Sequence, residues 1–173
     1  MMKRLLSLAI VAAVSAAAYV IASKSDSESK DEPKDEAQLT NPVTVVSEKE
    51  FLDAGIRLRL PEDAVNAFWM TVRGIPLLYS LNFFIGETEY NLRIRRSTSL
   101  QNLSGMYFPW TAEETVSDGD TRAVIQTSSD EAGIALWYRD GCSISLSMKG
   151  AVTFEALDEM FRFFNSSMEL HLN

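Results

Sequence analysis

Apolar and polar residues alternate with a period of two through two long stretches of the chain, each broken by a turn that carries glycine. In residues 77–96, a two-residue turn at Gly86 and Glu87 pairs Phe83 with Tyr90, Leu81 with Leu92 and Tyr79 with Ile94 on one face. The opposite face then sets Leu78, Ser80, Asn82 and Phe84 against Arg95, Arg93, Asn91 and Glu89. One apolar face and one mostly polar face is what a half-buried antiparallel hairpin requires. In residues 133–148, Asp140 and Gly141 form a strong type I′ turn signal. Trp137 falls opposite Ile144 and Ala135 opposite Leu146, while Ile134, Leu136 and Tyr138 face Ser147, Ser145 and Ser143. This second face is less polar than a solvated surface should be.

Shorter patterns complete the elements. Residues 56–60 alternate Ile56, Leu58 and Leu60 with Arg57 and Arg59, and Pro61 ends the strand. Residues 68–73, 105–110 and 121–127 read as further strands. Ser47 followed three residues later by Glu50 is a capping box, with Val46 and Phe51 as its hydrophobic staple, and this predicts a helix that Gly55 stops. A second helix is predicted over 154–164, with Thr153 as N-cap and Phe154, Leu157, Met160, Phe161 and Phe164 as its apolar stripe. The expected fold class is α+β: a twisted antiparallel meander of six or seven strands, with an N-terminal and a C-terminal helix on one face.

The N-terminal forty residues carry a different pattern. Lys3 and Arg4 precede 18 residues, 5–22, without a charge, and residues 23–40 are rich in Ser, Asp, Glu and Lys. At about 1.5 Å per residue the apolar run makes roughly 27 Å of helix, just short of a hydrocarbon core. The order is that of a signal peptide or N-terminal membrane anchor, 1–22, followed by a disordered acidic and polar linker, 23–40. Cleavage after Ala22 and retention as an anchor both place residues 41–173, a single domain, outside the cytoplasm. The expected location is therefore extracytoplasmic, either secreted or held at the cell membrane through residues 5–22.

Charge and composition narrow the chemistry. Residues 41–173 hold eleven Lys and Arg against eighteen Asp and Glu, a balance that disfavours nucleic acid. The one histidine, His171, lies three residues from the end, where a frayed terminus is expected, and the one cysteine, Cys142, directly follows a tight turn. No Ser–His or Cys–His apparatus and no zinc site follows from that inventory, and no cofactor or metal is expected. Asp118, Gly119 and Asp120, near Glu113 and Glu114, lack the ligand order of a calcium loop and read as a turn.

Two surface groups remain as ligand candidates. Arg57, Arg59, Arg93 and Arg95 all point away from the apolar side if the strand parity holds, and such a cluster suits carboxylate or phosphate groups. The plainer alternative is exposed ion pairing with Glu89 and other acids, each pair worth little. Among the aromatics, Trp110 and Tyr138 are the better surface residues for a glycan or peptide groove.

Three stretches carry a resemblance when taken together: residues 41–46 (Asn-Pro-Val-Thr-Val-Val), 103–107 (Leu-Ser-Gly-Met-Tyr), and 137–146, with Trp137, Tyr138, Arg139, Asp140 and Gly141 followed by Ser143 to Leu146. Over roughly residues 41–165 the chain resembles a group of exported or membrane-tethered bacterial domains of unknown function, mainly from Gram-positive gut bacteria. Some related domains look like the outer parts of membrane-bound anti-sigma-type regulators. The resemblance implies fold and location and transfers no catalytic residue.

These readings converge on a non-enzymatic extracytoplasmic binding or interaction domain of the bacterial envelope, with a protein or cell-wall ligand as partner. The alternatives are a small carboxylate-dependent hydrolase of envelope polymers, which needs two close buried acids, and a sensor or assembly module, which needs a large exposed apolar patch around Leu136 and Tyr138.

Overall fold

The structure is a computed structural model that describes residues 42–107, 109–128 and 131–172. The expected signal or anchor and the linker lie outside the described residues. Within them, no helix is long and apolar enough to cross a membrane. The elements run in order as β1 (Val43–Val45), α1 (Glu48–Asp53), β2 (Ile56–Arg57), β3 (Val65–Val72), β4 (Leu78–Ile85), β5 (Thr88–Arg96), β6 (Ala112–Asp118), β7 (Thr121–Ser128), β8 (Ala132–Arg139), β9 (Cys142–Lys149), α2 (Phe154–Ser167) and β10 (Glu169–Leu170).

Eight strands form one antiparallel sheet in the order β1-β3-β4-β5-β9-β8-β7-β6. Both hairpins adopt the register that their turns dictate, with Phe83 opposite Tyr90 and Trp137 opposite Ile144. The second turn places Asp140 and Gly141 at φ of 52° and 75°, the left-handed pair of a type I′ turn. The first face carries the core. Leu81, Phe83, Leu92, Ile94, Ile125, Trp137, Ile144 and Leu146 are all buried there under α2 and the 46–64 segment. Thr153 caps α2 by accepting from the Ala156 N–H at 3.1 Å, and the stripe residues Leu157, Met160, Phe161 and Phe164 are buried. Each such side chain contributes about 1.5–3 kcal/mol on burial.

Four expectations are corrected. The main sheet has eight strands, not six or seven. The described residues 105–107, 109 and 110 form no strand; β6 lies just after them, and its mostly exposed Ala-Glu-Glu-Thr-Val-Ser-Asp sequence shows no apolar alternation because it is an edge strand with one partner. The N-terminal helix is a six-residue element that buries only Phe51, so it forms no second helical layer. It does begin as its sequence dictates, since the Glu50 carboxylate accepts from the Ser47 N–H at 2.6 Å. Last, residues 56–60 do not join the main sheet. Only Ile56 and Arg57 are in a strand, paired with β10, so the C-terminal tail is tied down with Leu170 buried rather than frayed.

Candidate functional site

The second face of the main sheet resolves into three zones, because cross-strand partners in an antiparallel sheet share a face. Three rows can be followed from β3 through β4 and β5 to β9: Met70–Ser80–Arg93–Ser145, Phe68–Asn82–Asn91–Ser147 and Val65–Phe84–Glu89–Lys149. The β3 end of the rows is mostly apolar and open. The middle is polar. The β9 end, with its neighbour β8, is covered.

The cover is the β5–β6 connection. Residues 97–107 cross the face over β9 and β8, and the serines of β9 hold them there. The Leu103 N–H donates to Ser145 Oγ at 2.8 Å and the Gln101 N–H to Ser143 Oγ at 2.8 Å, while the Ser143 hydroxyl donates to the Ser99 carbonyl at 2.7 Å. Beneath this cover Met106, Ala132, Ile134 and Leu136 make a second small core, against which Trp110 packs. Two of the three alternating serines on this strand, Ser143 and Ser145, are thus the anchor points of an irregular segment, whose backbone groups need partners once they leave water, while Ser147 donates to the Asn91 carbonyl of β5.

A cleft of about 280 Å³ opens where the cover ends, lined by Asn82, Glu89, Asn91, Arg93, Ser104, Gly105, Met106, Ser147 and Lys149. Arg93 is its centre. One guanidinium nitrogen, Nη1, donates to the Leu103 carbonyl at 2.9 Å. Its Nε–H is buried and has no partner among the described residues, and Asn91 Oδ1 is in the same condition. Glu89, the acid nearest in register, does not pair with Arg93; it accepts a long 3.4 Å bond from Asn82. Burial lowers the Arg93 pKa, with Tyr107 acting the other way, yet a guanidinium stays charged at any working pH. Gly105 sits directly over it with φ of 72°, and a Cβ there would come within 3.1 Å of Nη1. The positive φ and the close approach to Arg93 together favour glycine at this position.

The candidate residues separate. Arg93 faces the cleft. Arg95 donates to Gln101 Oε1 at 2.6 Å and lines a different, more open hollow of about 440 Å³ with Ile75, Pro76 and Arg96. Arg57 lies in register with Glu169 in the two-stranded sheet, and neither it nor Arg59 lines the cleft. Trp110 is part of the small core, and Tyr138, 39% exposed, clamps the cover by donating from its hydroxyl to the Ser97 carbonyl at 3.2 Å. Sequence reading did not single out Lys149, Asn91, Asn82 and Ser147 as cleft neighbours of Arg93. Hairpin signals pair β4 with β5 and β8 with β9, but nothing local pairs β5 with β9, and that pairing assembles the cleft.

Other chemistry is set by surroundings. Cys142 is buried, and desolvation first, then Asp140, raises its thiol pKa, which leaves it a poor nucleophile. Asp118 ends β6 at a hairpin turn, accepts from Asn165 Nδ2 at 2.7 Å and lies 3.9 Å from Arg162, so it ties that hairpin to α2. No three His, Cys, Asp or Glu side chains gather into a metal-binding group among the described residues. Asp63 and Glu159 share a cleft of about 210 Å³ beside α2 with Tyr90, but both are exposed. No protein-family model, curated protein or solved structure matches the chain.

Proposed function

We propose that this is a non-enzymatic binding domain of the bacterial envelope, displayed outside the cytoplasm, whose Arg93 cleft holds a carboxylate-bearing protein or cell-wall ligand. The observation that carries it is a half-buried guanidinium that has no anionic partner among the described residues. Removing a cation from water costs several kcal/mol unless an anion and hydrogen bonds compensate, and here the protein supplies one carbonyl. Lys149 adds a second cation against the single acid Glu89. The amides and hydroxyls of Asn82, Asn91 and Ser147 suit the polar remainder of such a ligand. Export and envelope location rest on the pattern of residues 1–40. A hydrolase would need two desolvated carboxylates, and the acids that share a cleft, Asp63 and Glu159, are both exposed.

The test is a nuclear magnetic resonance titration of arginine-labelled protein with N-acetylmuramic acid and with N-acetylaspartate. Saturable shifts centred on the Arg93 Nε–H, and lost in Arg93→Gln, are expected. Small shifts spread evenly over the exposed arginines would refute a carboxylate site.

A further inference from the structure

The cleft does not end at its polar lining. In the row Phe68–Asn82–Asn91 the phenyl ring of β3 is the immediate cross-strand neighbour of a cleft residue, and in the row Val65–Phe84–Glu89 the same holds one step along. Val45, 75% exposed on β1, lies in register with Met70, and Phe68 and Val65 are 53% and 51% exposed. Strands lie about 4.8 Å apart, so this shelf, on β3, begins roughly 10 Å from Arg93 on β5, two strand spacings away. No charged residue occurs in β1, β3 or β4. The opposite edge strand, β6, carries Glu113, Glu114 and Asp118. Charges on an edge strand are the usual guard against pairing with another chain, and the β1 edge has none.

Resting on the reading of the Arg93 cleft, we infer that the shelf and cleft together are one docking surface for an extended polypeptide segment that carries apolar side chains beside a carboxylate. The period fits. Exposed or half-exposed apolar residues recur every second position on β3, at Phe68, Met70 and Val72, which is the spacing at which an extended chain presents one side of itself. Charge fits as well, because Arg93 and Lys149 lie at one end and neutral surface at the other. A second copy is a poorer occupant, since a two-fold contact over this surface brings the same cations to both sides of the seam.

The probe is a synthetic pool of hexapeptides that alternate Val or Phe with Thr or Ser and end in a free Asp, against the same pool ending in Asn amide. Binding of the acid pool at least tenfold tighter than N-acetylaspartate is expected, with amide shifts along β1, β3 and β4. Phe68→Ser and Val45→Ser should remove that gain while leaving N-acetylaspartate binding unchanged. If N-acetylaspartate binds but the acid pool binds no tighter, the cleft stands and the shelf inference fails. Loss of both would sink the two together. Shelf shifts with decanoate and none with the pool would assign the surface to lipids, and a dimer that Phe68→Ser dissolves would assign it to a second copy; either overturns the proposal.

Discussion

The two faces of the same eight-stranded sheet are buried by opposite means. On the first face, side chains of β4, β5, β7, β8 and β9 meet α2 and the 46–64 segment in a continuous apolar core. On the second, an irregular segment is held over β8 and β9 by hydrogen bonds to buried serines, and the β3 side is left open. Apolar packing is non-directional and sums to most of the folding energy. A bonded cover adds little net energy per bond but fixes one backbone path, and that path shapes a cleft beside Arg93. On the proposed reading, the first face supplies stability and the second recognition.

The contrast is broken most severely from the first face. Phe161 is fully buried and stacks edge-on against Trp137 at 5.4 Å between ring centroids. Phe161→Ala is expected to cost about 3–5 kcal/mol in urea unfolding, with all regions losing protection together. A smaller first-face effect comes from Gly133, where a Cβ would lie 2.7 Å from Leu157 Cδ1 and Val152 Cγ1. Gly133→Ala should destabilise by about 1–3 kcal/mol, because the start of α2 must be pushed off β8.

On the second face the expected losses are local. Ser145→Ala leaves the buried Leu103 N–H without its acceptor and should cost near the lower end of about 1–3 kcal/mol. Hydrogen exchange would show it, with the amides of residues 101–106 accelerated and those of β8 and β9 unchanged. Global acceleration would mean that the cover is part of the core.

A pH prediction sharpens the comparison further. The Cys142 thiol has its pKa raised in the folded state by burial. The stability it contributes is therefore fully present below the unfolded thiol value, about 8.5, and is lost as pH rises from there through the folded value. Unfolding free energy followed across that range should fall with pH, and Cys142→Ala should flatten this part of the curve. The smallest effect is expected on the shelf, where Val45→Ser should change stability by no more than about 0.5 kcal/mol in the same urea assay.

Much of this fold is legible in the sequence, and the reason is local. The turn at Asp140 and Gly141 and the cap at Thr153 fix neighbours a few residues apart, and each formed as its residues require. The misses share a non-local cause. Strand β6 is too exposed to alternate, Ile56 and Arg57 pair with a tail more than a hundred positions away, and Met106 and Trp110 serve a second core that no short-range pattern announces. The excess of apolar residues opposite Ser143, Ser145 and Ser147 was the one visible sign that something covers that face. Of the candidate ligand residues, Arg93 alone reaches the cleft: Arg57 and Arg59 lie outside the main sheet, and Arg95, two positions along β5, bonds Gln101 instead.

The urea-unfolding free energy of Arg93→Gln tests the division of labour between the faces most directly. If Arg93 is held for a ligand, losing its bond to Leu103 is largely offset by removing an unpaired half-buried charge, and the change stays within about 1 kcal/mol. A loss as large as that of Phe161→Ala would make Arg93 a structural staple of the second face and contradict its assignment to recognition.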